Sequence, residues 1–243
     1  MLIEAHELTK SFRGRAAVAG ISFALGAGTI VGFLGANGAG KSTTMRMLAG
    51  YLGADSGTAR IAGFDVARAP LEARRRLGYL PEAAAGFAEL TVRELLTFVG
   101  EARGFRGADL ARAIERAAEL TGLAAAMDRI MGTLSKGWRQ RAWLAQAVLH
   151  DPPVLILDEP TDGLDPLQKA HLRCVLTEMG RSKAILMSTH ILEEAEQLCD
   201  RLIVIAAGRI VADAPRAELA DGNGRLAPAF ARLVAGEAEQ GAP

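Results

Sequence analysis

Thr29-Ile30-Val31-Gly32-Phe33-Leu34 runs directly into Gly35-Ala36-Asn37-Gly38-Ala39-Gly40-Lys41-Ser42, with Thr43 next. The first six residues read as a short apolar strand. The next eight match G-x-x-x-x-G-K-[ST] in full, and Ser42 to Leu48 reads as a helix that stops near Gly50. A glycine-rich turn between strand and helix lets backbone N–H groups converge on a phosphate, and the helix N-terminus adds partial positive charge. Gly35, Asn37, Gly38, Gly40 and Thr43 would line this cradle, Lys41 would neutralise the outer phosphates, and Ser42 would place its hydroxyl on Mg²⁺.

A phosphate loop needs a partner carboxylate. Val154-Leu155-Ile156-Leu157-Asp158-Glu159 is a buried strand that ends in two acids. The C-terminal ends of parallel strands are where open α/β sheets bind ligands. Asp158 would hold Mg²⁺ through water, and Glu159, facing another way, would accept a hydrogen bond from an attacking water.

Outward from these two strands, Leu2 to Gly35 reads as strands, with Ile21-Ser22-Phe23-Ala24-Leu25 alternating in and out. Ser56-Gly57 reads as a turn before a strand from Thr58 to Ala62. From Glu82 to His150 the texture is Ala, Leu, Arg and Glu, and strand signals vanish. Thr91–Val99 and Ala108–Leu120 carry helical periodicity, with Thr91 and Glu94 in capping-box positions. Strands return at Val154–Leu157, Ala184–Ser188 and Leu202–Ile205, with helices between them. The expectation is an α/β protein: a parallel-sheet P-loop core (1–81 and 151–235), an N-terminal antiparallel β portion, a helical subdomain inserted over 82–150, and a frayed tail over 236–243.

Lys plus Arg and Asp plus Glu both number 28, so the formal net charge is zero, which disfavours nucleic acid as a partner. Cys174 and Cys199 lack metal-type spacing and fit a reduced chain. No apolar h-region follows Met1, and the apolar runs fall far short of the ~20 residues that span a bilayer.

Between the two phosphate-site strands lies Leu134-Ser135-Lys136-Gly137-Trp138. It resembles the L-S-G-G-Q signature of ABC transporter nucleotide-binding domains, and the resemblance covers nearly the whole chain. Lys136 and Trp138 depart from the common form; Ser135 and Gly137 keep it. Ser135 can cap the following helix and Gly137 permits close backbone approach. The resemblance implies an ABC ATPase fold, ATP and Mg²⁺ as ligands, and an ATP-dependent dimer, homomeric or with a related ATPase subunit. Ser135 and Gly137 of one copy would then face the γ-phosphate held by the other. It further implies that Phe12 stacks on adenine, that Asp165 in Gly163-Leu164-Asp165 reaches across the dimer, and that His190 in Ser188-Thr189-His190 contacts the γ-phosphate.

Where the family usually has Gln, after Tyr79-Leu80-Pro81, this chain has Glu82, a hard oxygen ligand suited to Mg²⁺. The Gly78-Tyr79-Leu80-Pro81-Glu82 form and the Leu134-Ser135-Lys136-Gly137-Trp138-Arg139-Gln140-Arg141 form resemble the single-domain ATPases of ABC-2-type exporters, including the gliding-motility and multidrug-type branch. The resemblance therefore implies membrane-spanning permease subunits as partners and a peripheral place on the cytoplasmic face of the membrane. A soluble ABC ATPase of a cofactor-assembly system is the alternative. Ala83 to Leu90, with Phe87 and Leu90 as apolar anchors, is the expected groove for a permease helix.

Overall fold

The computed structural model describes residues 1–82 and 86–240. Two antiparallel hairpin strands open the chain, β1 (Ile3–Phe12) and β2 (Arg15–Leu25), followed by β3 (Thr29–Leu34) and α1 (Lys41–Leu48). β4 (Ser56–Ile61), β5 (Phe64–Asp65), α2 (Pro70–Arg75) and β6 (Leu77–Leu80) come next. Helices then occupy the chain: α3 (Val92–Ala102), α4 (Gly107–Leu120), two single 3₁₀ turns (Ala124–Ala126 and Met131–Thr133) and α5 (Lys136–Val148). β7 (Val154–Asp158), α6 (Pro166–Gly180), β8 (Ala184–Thr189), α7 (Leu192–Leu198), β9 (Arg201–Ala206), β10 (Arg209–Pro215), α8 (Arg216–Leu219) and α9 (Ala227–Gln240) complete it.

The strands form two sheets. β2-β1-β4-β5 is wholly antiparallel; β10-β9-β3-β8-β7-β6 is parallel except for its β9–β10 edge. Alternation along the central strands divides the core. Val154 and Ile156 of β7 pack with Val31, Phe33 and the antiparallel sheet, while Leu155 and Leu157 pack with α3, α4 and α5. A strand buried on both faces must be apolar at every position, which is why β7 reads as an unbroken hydrophobic run.

Local signals place several elements as expected. Thr91 caps α3 with a full capping box to Glu94, and Ser135 caps α5. One expectation changes. Ser56 and Gly57 belong to β4 rather than to a turn, because Gly57 adopts φ +84° and absorbs a register shift against β1. α9 runs to Gln240, into the stretch 236–243 expected as the tail; residues 241–243 lie outside the described residues. Among the described residues no helix is long and apolar enough to cross a membrane.

Candidate functional site

The strand order β3-β8-β7 puts the C-terminal ends of three parallel strands side by side, and the catalytic candidates cluster there. β3 leads into the loop Gly35–Gly40. Gly40 caps α1 at φ +111°, and a Cβ there would stand 2.5 Å from Ala17 O, so only glycine fits. The loop is pinned from outside as well: Gly208 N–H donates to Ala39 O at 3.0 Å. Buried Lys41 closes the loop from within, donating to the carbonyls of Gly35 (2.7 Å) and Ala36 (3.2 Å). Asn37 and Gly38 lie on the exposed rim, while Ser42 and Thr43 are half-buried at the first turn of α1.

β7 ends in Asp158, which is 1% exposed. Its Oδ1 accepts a hydrogen bond from Ser188 Oγ on neighbouring β8, and its Oδ2 has no partner among the described residues. Burial holds the Asp158 carboxyl above the usual aspartate range, opposed by the hydroxyls of Ser188 and Ser42 and by the charge of Lys41. Glu159 turns sharply away at φ +51°. Its N–H reaches Ser188 O (3.3 Å) and Ser188 Oγ (3.1 Å), and its Oε1 meets His190 Nδ1 at 2.9 Å. Burial raises the Glu159 carboxyl, and the hydrogen bond from His190 works against that rise.

Glu82 follows edge strand β6, and its Oε2 accepts from Ser42 Oγ at 3.1 Å. Two expected metal-binding residues, far apart in sequence, therefore meet. Among the described residues no cluster of three or more His, Cys, Asp or Glu could hold a metal alone. The orphaned Oδ2 of Asp158 beside a hydroxyl and a second carboxylate does fit Mg²⁺, which takes few protein oxygens and shares the rest with phosphates and water.

Ser135 and Gly137 sit at the start of α5, on a seam with the loop before α6. A Cβ on Gly137 would stand 2.9 Å from Gly163 O, and Lys136 Nζ pairs with Asp162 at 2.7 Å. Lys136 thus has a local partner where the family has glycine. Asp165 is engaged locally too. It caps α6, accepting from Gln168 N–H at 2.9 Å within a capping box. Phe12 ends β1, half exposed, with Lys10 Nζ 5.7 Å from its ring centroid.

Three supporting residues carry no assignment from sequence. Ser188 stands there only as the residue preceding Thr189-His190. Gln140 stands there only as part of the motif over 134–141, with no role of its own. Glu194 gathers Thr161 (2.6 Å), Thr189 (3.1 Å) and Lys169 (2.8 Å), tying the turn after Glu159 to the residue before His190.

A parallel sheet with a lysine-bearing phosphate loop, an acidic strand end beside it and a helical insertion defines a P-loop nucleoside triphosphatase. The family model described as ABC transporter matches residues 18–162. The chain belongs to the ABC transporter family as an ATP-binding, ATP-hydrolysing subunit. It is 42% identical over 221 residues to the daunorubicin/doxorubicin resistance ATP-binding protein DrrA of Streptomyces peucetius, covering 89% of this chain and 66% of that one. It is 41% identical over 221 residues to the Nod factor export ATP-binding protein I of Paraburkholderia xenovorans, covering 90% and 72%. A solved ATP-binding subunit of an ABC transporter superposes with a TM-score of 0.87 at 30% identity, covering 96% of this chain and 99% of that one.

Proposed function

We propose that this subunit drives an exporter by binding ATP between two copies of itself, or between itself and a related subunit, at the cytoplasmic face of a membrane-spanning permease. Similarity to two proteins named for drug resistance and Nod factor export supports the direction of transport. The observation that carries the catalytic reading is the convergence of Lys41, the Ser42–Glu82 pair, Asp158 and the Glu159–His190 pair at the C-terminal ends of the parallel strands.

The reaction is in-line attack of water on the γ-phosphorus, giving ADP and phosphate. Loop N–H groups and Lys41 hold the phosphates and offset their charge, and Phe12 offers a ring to the adenine. Ser42, Asp158 and Glu82 would hold Mg²⁺, which supplies charge neutralisation and fixes the phosphate geometry. Glu159 accepts the hydrogen bond of the attacking water. A buried carboxylate raised by desolvation is a better proton acceptor than an exposed one. His190 orients Glu159 and can turn its exposed face to the γ-phosphate. Ser135 and Gly137 of the second copy complete the site, with Asp165 at the seam. Residues 1–243 act as one ATPase unit, with 82–150 as the lever toward the permease.

The test is Glu159→Gln. The variant should bind ATP, hydrolyse it at least about 10²-fold more slowly, and accumulate as a dimer in Mg-ATP on size-exclusion chromatography. Near-normal turnover would remove Glu159 from its role.

A further inference from the structure

Nε2 of Gln140 donates to the backbone carbonyl of Glu159 at 3.1 Å, at a point where Gln140 is only 8% exposed. The same carbonyl accepts Asp162 N–H at 3.1 Å, which closes the local turn. Glu159 holds φ +51°, in the left-handed region that a non-glycine residue keeps only when its surroundings enforce it. Ser188 restrains its N–H, Asp162 and Gln140 restrain its carbonyl, and His190 restrains its carboxylate. Of these, only Gln140 comes from the helical segment. It lies on α5, whose first turn is capped by Ser135, and the rise from that cap to Gln140 is about 7.5 Å.

We propose that Gln140 is a positioning residue that ties the aim of the Glu159 carboxylate to the position of α5. The tie rests on the two-copy reading above and deepens it. In a closed pair, the N-terminus of α5 faces the nucleotide held by the second copy. One and a half turns later the same helix touches the main chain of the catalytic glutamate in its own copy's site. A small shift of α5 as Ser135 engages a phosphate therefore moves the Glu159 main chain through a single side chain. Each site then senses whether the other is filled.

Two variants test this. Gln140→Met keeps the volume and removes the donor; Gln140→Asn keeps the amide and withdraws it from reach. Both should lower kcat about five- to tenfold, the effect of one net hydrogen bond. Affinity for ATP, KM and melting temperature should stay near wild type. The wild type should show a Hill coefficient above unity in rate against ATP concentration, and in both variants it should fall toward unity. Unchanged kcat overturns the proposal. So does a fall in kcat matched by lost ATP affinity or lost melting temperature, or failure of both variants to fold, because each marks Gln140 as a packing residue. If Glu159→Gln stays monomeric in Mg-ATP while both Gln140 variants still slow kcat, the two-copy reading fails and the relay with it, and the local positioning role stands.

Discussion

His190 Nδ1 lies 2.9 Å from Glu159 Oε1, across the ends of the adjacent parallel strands β7 and β8. Glu159 is buried while His190 is more than half exposed, so the pair spans the boundary between core and solvent. A carboxylate at that boundary is raised by burial and restrained by its partner.

His190→Ala removes the hydrogen bond that favours the ionised Glu159. Burial raises the Glu159 carboxyl above the ordinary glutamate range, so the acid limb of kcat should lie above that range in the wild type. Without His190 the limb should move to still higher pH, since one opposing influence is gone. Turnover at neutral pH should fall about 10–10²-fold. A pH–rate profile of ATP hydrolysis checks both. An acid limb that stays in place separates His190 from Glu159.

Asp158→Asn should stabilise the fold while abolishing hydrolysis. The folded state holds the Asp158 carboxyl above its unfolded value of 3.8, with burial the first cause. The stability that protonation confers is full below that value and is lost as pH rises through the raised one, so at neutral pH the ionised group costs stability. Removing the charge should return about 0.5–2 kcal/mol, or about 2–4 °C in melting temperature per kcal/mol. Thermal scans at neutral pH and near pH 3 check the sign: the gain should shrink in acid. A lower melting temperature at neutral pH would contradict the burial argument.

Glu82→Gln keeps an oxygen within reach of Ser42 and restores the usual family residue, so most ATPase activity should persist. Glu82→Ala leaves Ser42 Oγ without that acceptor and should cost about tenfold or more in Mg²⁺-dependent turnover. Titration of Mg²⁺ should show a weaker apparent affinity in the Ala variant alone. If both variants match wild type, Glu82 is a solvated loop residue.

Phe87 stands 42% exposed at φ +56°, against Phe98 (ring centroids 5.4 Å apart) and Trp143 (6.2 Å). Half-exposed Leu90 follows; Ala83 to Ala85 of the expected groove lie outside the described residues. Exposed Phe87 and Phe98 over buried Trp143, on a helical insertion, suit a partner helix. Phe87→Ala should leave ATPase activity of the isolated subunit near wild type and weaken co-purification with the permease about tenfold or more. Unchanged co-purification would make the cluster plain packing.

The phosphate loop, the acidic strand and the helix caps were legible because each is a local pattern. Gly35 to Ser42 must be contiguous to wrap a phosphate, β7 must be apolar throughout to lie inside the sheet, and Thr91 with Glu94 or Ser135 with Trp138 meet within one turn. The sequence by itself therefore determined the class, the family and the principal phosphate-site candidates. Tertiary structure alone decided which distant groups meet. Ser42 reaches Glu82, Glu159 reaches His190 and Gln140, and Asp158 reaches Ser188 because β3, β8, β7 and β6 line up in an order no sequence window records. Lys136 pairs with Asp162 for the same reason, since a side chain's partner depends on which element folds beside it, whereas the Asp165 cap on Gln168 is a one-turn pattern like the other caps. Short-range periodicity and steric rules act within a few residues of each position, whereas these contacts join residues brought together only when the sheet closes.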